Sequence, residues 1–129
     1  MIVVDCAAIV DALTVVDGSE GLRAFMARED LHAPALVDFE IVSALRWLAR
    51  AGRITAARAL DALTDFEDLP ILRWHAGDAL RRRAFSLRDN LSAYDAAYVA
   101  LAEALQCRLV TRDARLARSG GHAAEIALL

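Results

Sequence analysis

The segment IVVDCAAIVDAL, residues 2–13, contains a short strand that leads directly into a helix. Its first letters, IVV, form a continuous apolar run, which is typical of a strand buried on both faces rather than on one. A helical pattern over about residues 7–13 follows it. A strand that is covered on both faces and followed by a helix predicts a parallel sheet packed between layers of helices.

The same alternation of strand and helix patterns continues along the chain. Because such alternation indicates βαβ units, we expect an α/β fold, a three-layer α/β/α sandwich with a central parallel sheet of four to five strands. Ser19 is expected to cap the helix that it opens, and Gly52 to end the following one. Further strands are predicted at 32–36, 69–74, 107–111 and 125–129, and helices at about 19–28, 37–50, 54–66, 76–86, 92–105 and 113–118.

Composition excludes several classes of protein. Hydrophobic residues make up 57% of the 129 residues, which is enough for the core of one domain. No apolar run reaches the ~18 residues of a membrane span, and an acid interrupts the N-terminal apolar run, unlike in a signal peptide. Cys6 and Cys107 lie in apolar segments, which indicates buried free thiols and a reducing, cytoplasmic location.

Charge is distributed unevenly along the chain. The net charge is −3, which argues against binding nucleic acid through bulk charge. Residues 79–129 nevertheless hold eight Arg against five acids, so this part could face phosphates. Its most basic stretch, residues 81–83 with Arg88, is an RNA guide, a contact for an acidic partner or simply a solvated face. Trp47 and Trp74 are expected in the core or in a dimer interface.

Four acids are predicted to meet at one edge of the sheet. Asp5 ends the first strand and Asp113 follows the fourth, while Glu40 and Asp95 lie near the starts of helices. Ligands of open parallel sheets bind beyond the carboxyl ends of the strands, where these residues fall. Asp95 also completes a capping-box pattern with Ser92, Asp113 could cap a helix, and Glu40 could complement a helix dipole. Asp5 has no evident local structural role.

The combination of the four acids is more informative than any one of them. Carboxylates that share a site repel one another and raise one another's pKa values. A divalent cation relieves that repulsion, and oxygen-only ligands suit Mg²⁺ or Mn²⁺. Because such ions activate water and act on phosphate groups, the sequence predicts a divalent-metal site for phosphate chemistry.

Four segments carry a family resemblance: IVVDCAAIVDAL, HAPALVDFEIVSALRWL, LSAYDAAYVALAEAL and CRLVTRDARLAR. With these, the chain resembles the PIN-domain ribonucleases, and in particular the VapC toxins of type II toxin–antitoxin pairs. The resemblance implies one PIN-like nuclease domain over residues 1–129 and Mg²⁺- or Mn²⁺-dependent cleavage of RNA that inhibits translation and growth. It also implies a homodimer, a cognate VapB-type antitoxin and an RNA substrate of the tRNA or rRNA class. The catalytic and metal-binding residues that it implies are Asp5, Glu40, Asp95 and Asp113.

The resemblance suggests a division of roles among these acids. We expect Asp5 and Asp95 to hold the main ion, with Asp113 and Glu40 completing its shell, and cleavage to leave a 5′-phosphate and a 3′-hydroxyl. Candidate supporting residues for ligand orientation or phosphate contact, each with an equally good structural reading, are Thr111, Ser92, Asn90, Arg112 and Arg115.

The chain departs from the family pattern at two points. Ala7 occupies a position where the family often has a hydroxyl residue, which could weaken a supporting hydrogen bond to metal or substrate. The residues that follow Asp113 are Ala114 and Arg115 rather than another acid, which weakens the case for a second tightly held metal.

Other functions fit the sequence less well. A phosphorelay receiver domain needs a lysine, and the chain has none; it also typically has paired acids after its first strand, whereas Asp5 follows Val4. A PIN-like module that only binds RNA or protein would be favoured by a missing acid, and none is missing. DNA-directed relatives usually carry more acids and helical insertions than 129 residues accommodate.

Overall fold

The computed structural model describes residues 1–15 and 17–129. Strands and helices alternate over most of this range. In chain order, the elements are β1 (Ile2–Val4), α1 (Cys6–Thr14), α2 (Glu20–Met26), β2 (Leu31–Pro34), α3 (Val37–Arg50), α4 (Ala56–Asp68), β3 (Ile71–Trp74), α5 (Asp78–Ser86), α6 (Ala93–Leu105), β4 (Arg108–Thr111), α7 (Ala114–Ala117) and β5 (Ile126–Leu128).

The strands form a parallel sheet of five, in the order β3-β2-β1-β4-β5. The central strand β1 is fully buried, as its continuous apolar run predicts. Helices cover the sheet on both sides, which confirms the predicted three-layer α/β/α sandwich. Val4 pairs with Val110, so the carboxyl ends of β1 and β4 lie side by side. Residues that follow these two strands therefore meet at one edge of the sheet.

Of the two predicted helix ends at Gly52 and Ser19, the structure confirms the first and not the second. Gly52 follows α3 with a φ of +72°, a left-handed conformation that glycine adopts at no steric cost. Ser19 stands at the N-cap position of α2, but its hydroxyl donates to the carbonyl of Val15 and makes no side-chain cap hydrogen bond. The prediction that Ser19 caps this helix by its side chain is therefore wrong, because the hydroxyl is used by the preceding turn.

The two tryptophans lie at the surface. Trp47 is 58% exposed and Trp74 is 37% exposed, so the core interpretation of these residues is wrong. Both are held by polar neighbours: Arg53 stacks over the Trp47 ring, and the Trp74 indole N–H donates to Nδ1 of His32 at 3.0 Å.

The cysteines and the helix lengths bear on two expectations from the composition. Cys6 and Cys107 are free thiols, as predicted, although both are only partly buried. Within the described ranges, the helices are all too short or too polar to cross a membrane.

Candidate active site

Asp5 is buried at the carboxyl end of β1, where it also begins helix α1. Only 5% of the residue is exposed. Its Oδ1 accepts a hydrogen bond of 2.8 Å from the backbone N–H of Ala8, so the carboxylate caps the helix. The expectation that Asp5 has no local structural role is therefore wrong. The cap fixes the carboxylate at the sheet edge without using its second oxygen.

Thr111 connects Asp5 with Asp113. Its fully buried hydroxyl donates to Oδ2 of Asp5 and accepts from the backbone N–H of Asp113, the latter at 2.8 Å. Thr111, at the end of β4, thus holds both the Asp5 carboxylate, which follows β1, and the turn that carries Asp113. Asp5 therefore has a hydroxyl partner in Thr111.

Asp113 is fixed by the first turn of α7. Its Oδ1 accepts from the backbone N–H of Arg115 at 2.8 Å, and its Oδ2 accepts from the Arg115 guanidinium at 3.3 Å. Partial burial acts to raise the pKa of Asp113, but the hydrogen bonds and the charge of Arg115 outweigh it and lower the pKa. Asp113 is therefore an ionised member of the site, and it fulfils the predicted capping role at the same time.

Glu40 and Asp95 come from the first turns of α3 and α6. The Ser92 hydroxyl caps α6 by accepting from the backbone N–H of Asp95 at 3.2 Å, so one half of the predicted capping box forms. Glu40 accepts a hydrogen bond of 2.6 Å at its Oε1 from the hydroxyl of Tyr98. Tyr98 was not among the sequence candidates because its ring fits the apolar face of α6.

The charges of the four acids, here called the acid quartet, act on one another. The quartet consists of Asp5, Glu40, Asp95 and Asp113. Burial raises the pKa of Asp5 from 3.8 to about 6, and the charges of Asp95 and Asp113 act in the same direction. Burial also raises the pKa of Glu40, to which Asp95 contributes, and the pKa of Asp95, to which Asp113 contributes. Three of the four carboxyls, Asp5, Glu40 and Asp95, are therefore costly to ionise, whereas Asp113 is compensated by Arg115.

The donor chemistry of the quartet fits a hard divalent cation. All four side chains offer carboxylate oxygens, and a cation would offset the burial and the repulsion that raise the pKa values of Asp5, Glu40 and Asp95. As their side chains are placed, no three His, Cys, Asp or Glu residues in the described part of the chain form a closed ligand set. The fit thus rests on ligand type and charge.

Similarity to known proteins agrees with this arrangement. A model of the PIN domain matches residues 2–121.

The chain belongs to the PIN-domain family.

Ribonuclease VapC9 of Mycobacterium tuberculosis is 49% identical over 120 residues, which cover 93% of this chain and 91% of the relative. The crystal structure of PAE2754 from Pyrobaculum aerophilum matches with a TM-score of 0.71 and 25% identity, over 97% of this chain and 81% of that one. VapBC2 from Rickettsia felis, bound to a DNA fragment from their promoter, matches over 98% of each chain with a TM-score of 0.68 and 14% identity, which shows the fold alone. Within the PIN-domain family the chain is of the VapC type.

The candidate supporting residues of this PIN domain are engaged in different ways. Arg112 pairs with Asp11 on α1 at 3.1 Å, a partner 101 positions away that the sequence pattern did not indicate. Arg115 pairs with Asp113 but leaves 86% of its side chain exposed. Asn90 donates to the carbonyl of Gly120 at 2.8 Å and so ties two loops together. Asn90 thus has a structural contact, whereas Arg115 is placed beside the quartet.

The basic run 81–83 is largely paired within the chain. Arg82 contacts Asp78 at 2.9 Å, and Arg83 contacts Glu103 at 3.1 Å. Arg88 stacks over the ring of Phe85 at 4.5 Å from its centroid. These contacts favour the reading of the run as a surface that is stabilised by neighbouring acids and an aromatic ring.

Cys6 follows Asp5 directly but is not poised for nucleophilic chemistry. Burial, with smaller contributions from the charges of Glu40 and Asp5, raises the pKa of its thiol to about 12. A thiol at this pKa stays protonated near neutral pH, whereas the thiolate is the reactive form. Cys6 is therefore not an activated nucleophile.

Replacing Thr111 with Val is expected to lower the free energy of unfolding by about 1–3 kcal/mol, because buried Asp5 loses a hydrogen-bond donor. Urea denaturation at pH 7.5 measures the change. Thr64→Val is the matched control, since Thr64 is exposed and its hydroxyl donates within its own helix, to the carbonyl of Leu60. Equal effects of the two substitutions would contradict the bridging role of Thr111.

Proposed function

We propose that this chain is a divalent-metal-dependent endoribonuclease, the toxin of a toxin–antitoxin pair, with residues 1–129 acting as one nuclease domain. The observation that supports this most strongly is Asp5, a buried carboxyl whose pKa is raised to about 6 beside Asp95 and Asp113 at the sheet edge of a PIN domain. Relatives such as Ribonuclease VapC9 support RNA as the substrate.

The acid quartet is the proposed catalytic and metal-binding centre. Asp5 and Asp95 bind the main Mg²⁺ or Mn²⁺ ion, and Glu40 and Asp113 complete its shell. When bound, the ion supplies the positive charge that activates water and stabilises the leaving oxygen of a phosphodiester. The chain's own groups hold the ligands in place: the Ala8 N–H and the Thr111 hydroxyl fix Asp5.

The exposed Arg115 is proposed to contact a substrate phosphate. Its guanidinium lies beside Asp113, and most of its side chain is accessible. An arginine can bind a phosphate through two parallel hydrogen bonds and so orient the strand over the quartet. Arg112 is a weaker candidate for this role, because its guanidinium already pairs with Asp11.

Partners and location complete the proposal. A VapB-type antitoxin is proposed to block the site, and the toxin is proposed to act as a homodimer in the cytoplasm on RNA of the tRNA or rRNA class. Membership of the VapC type supports the antitoxin. The exposed Trp47 and Trp74 are available for the dimer or antitoxin contact.

Cleavage of total RNA by the purified, partner-free protein tests the proposal. We expect cuts at discrete sites with Mg²⁺ or Mn²⁺ and none with EDTA, and product ends that carry a 5′-phosphate and a 3′-hydroxyl. Ligation-based mapping of 5′ ends identifies both the sites and the end chemistry. Products with 2′,3′-cyclic phosphates would contradict hydrolysis by activated water, and intact RNA from folded protein would favour a module that only binds.

A further inference from the structure

Tyr98 is a buried polar residue that the proposed chemistry does not yet use. It lies one helical turn after Asp95 on α6, and only 1% of it is exposed. Its hydroxyl donates to Oε1 of Glu40 at 2.6 Å. Residues three apart on a helix share a face, so α6 contributes to the acid quartet twice, once by a carboxylate and once by this hydroxyl.

The hydrogen bond constrains a side chain that is otherwise mobile. Glu40 projects from the first turn of α3, and a free glutamate samples many rotamers, which opposes binding by an entropic term. A donor from the neighbouring helix occupies one oxygen and limits those rotamers. The contact spans 58 positions of the chain and joins α3 to α6, so it depends on the folded sandwich.

We propose that Tyr98 is a positioning residue for the cation site: its hydroxyl holds Oε1 of Glu40 and leaves Oε2 to bind a divalent cation or its water. This inference rests on the proposed function. Groups that orient metal ligands typically change metal affinity or activity by ~10- to 100-fold when removed. Thr111 acts on Asp5 in the same manner, so both carboxylates are held by a hydroxyl.

Binding of Mn²⁺ alone, followed by electron paramagnetic resonance, tests the proposal in the full chain. We expect Tyr98→Phe to weaken Mn²⁺ binding by ~10- to 100-fold, and to raise by the same factor the Mn²⁺ concentration that half-saturates RNA cleavage. Tyr94→Phe is the matched control, because Tyr94 is the chain's other tyrosine, lies on the same helix and is exposed. That variant is expected to bind Mn²⁺ as the wild type does.

A double-mutant cycle separates positioning from a general effect on the fold. In a Glu40→Ala background, Tyr98→Phe is expected to cause no further loss of Mn²⁺ affinity, because its target is gone. An equal loss in both backgrounds would overturn the proposal, as would unchanged Mn²⁺ affinity of Tyr98→Phe while the wild type binds and cleaves. Failure of the wild type itself to bind Mn²⁺ and cleave RNA would overturn the proposed function, and this inference with it.

Discussion

Asp5→Asn is expected to abolish RNA cleavage and, at the same time, to stabilise the metal-free protein. The loss of activity should reach about 10²- to 10³-fold or more, the range seen when one preorganised electrostatic group is removed from an active site. Asparagine keeps the size of the side chain and is as good an N-cap as aspartate, so the start of α1 is preserved. What disappears is the negative charge that the quartet needs for a cation, together with the second oxygen that accepts from the Thr111 hydroxyl, and the loss of that hydrogen bond offsets part of the gain in stability.

The gain in stability follows from the raised pKa of Asp5. The carboxyl has a pKa of about 6 in the folded chain against an ordinary value of 3.8. Between these two values the folded chain holds a proton that the unfolded chain has lost. The free energy of unfolding therefore falls as the pH rises from about 4 to about 6, by up to about 3 kcal/mol, and remains low above that range. Asparagine does not ionise and escapes this loss.

Urea denaturation in EDTA at pH 7.5 and at pH 4 measures this effect. We expect Asp5→Asn to raise the free energy of unfolding by up to about 3 kcal/mol at pH 7.5 and by much less at pH 4. Asp61→Asn, at an exposed position of α4, is the control for loss of a charge as such. If the gain were the same at both pH values, or if stability fell at pH 7.5, the ionised Asp5 carboxylate would not destabilise the folded chain as described.

Asp95→Asn is the second substitution with a large expected effect. Cleavage should again fall by about 10²- to 10³-fold, while stability changes by no more than about 1 kcal/mol, the size of a helix-dipole interaction. The small stability change is expected because the Ser92 hydroxyl caps α6 by accepting from the backbone N–H of Asp95, a hydrogen bond that asparagine keeps. Single-turnover cleavage and thermal unfolding of the same preparations measure the two quantities.

Ser92→Ala distinguishes the charge of Asp95 from the helix start that carries it. This variant loses the cap at a cost of about 1 kcal/mol but keeps the carboxylate. We expect its cleavage to fall far less than that of Asp95→Asn. Similar losses of cleavage in the two variants would mean that activity depends on an ordered first turn of α6 and not on the Asp95 charge. Asp95 would then serve mainly as part of the helix cap.

Local patterns were sufficient to predict most of the fold. The apolar run of β1 and its following helix indicated a parallel sheet, and the sheet order places Asp5 and Asp113 just beyond the ends of adjacent strands because β1 pairs with β4. Strand boundaries were less accurate: β2 ends at Pro34, since the backbone at Leu36 already has helical angles. A helix that begins so soon after a strand shortens the strand.

Contacts between distant residues could not be predicted in the same way. The Arg112–Asp11 pair and the Tyr98–Glu40 hydrogen bond each join elements from separate parts of the chain. Tyr98 matched an apolar helix face by its ring, so its hydroxyl gave no periodic signal.

The most direct test of the central claim is to measure Mn²⁺ binding and RNA cleavage on one preparation of partner-free protein across a range of Mn²⁺ concentrations. If the acid quartet holds the ion that cleavage needs, the concentration that half-saturates cleavage will match the dissociation constant for Mn²⁺, and Asp5→Asn will lose both. Cleavage that continues undiminished in EDTA, or in Asp5→Asn, would contradict the claim.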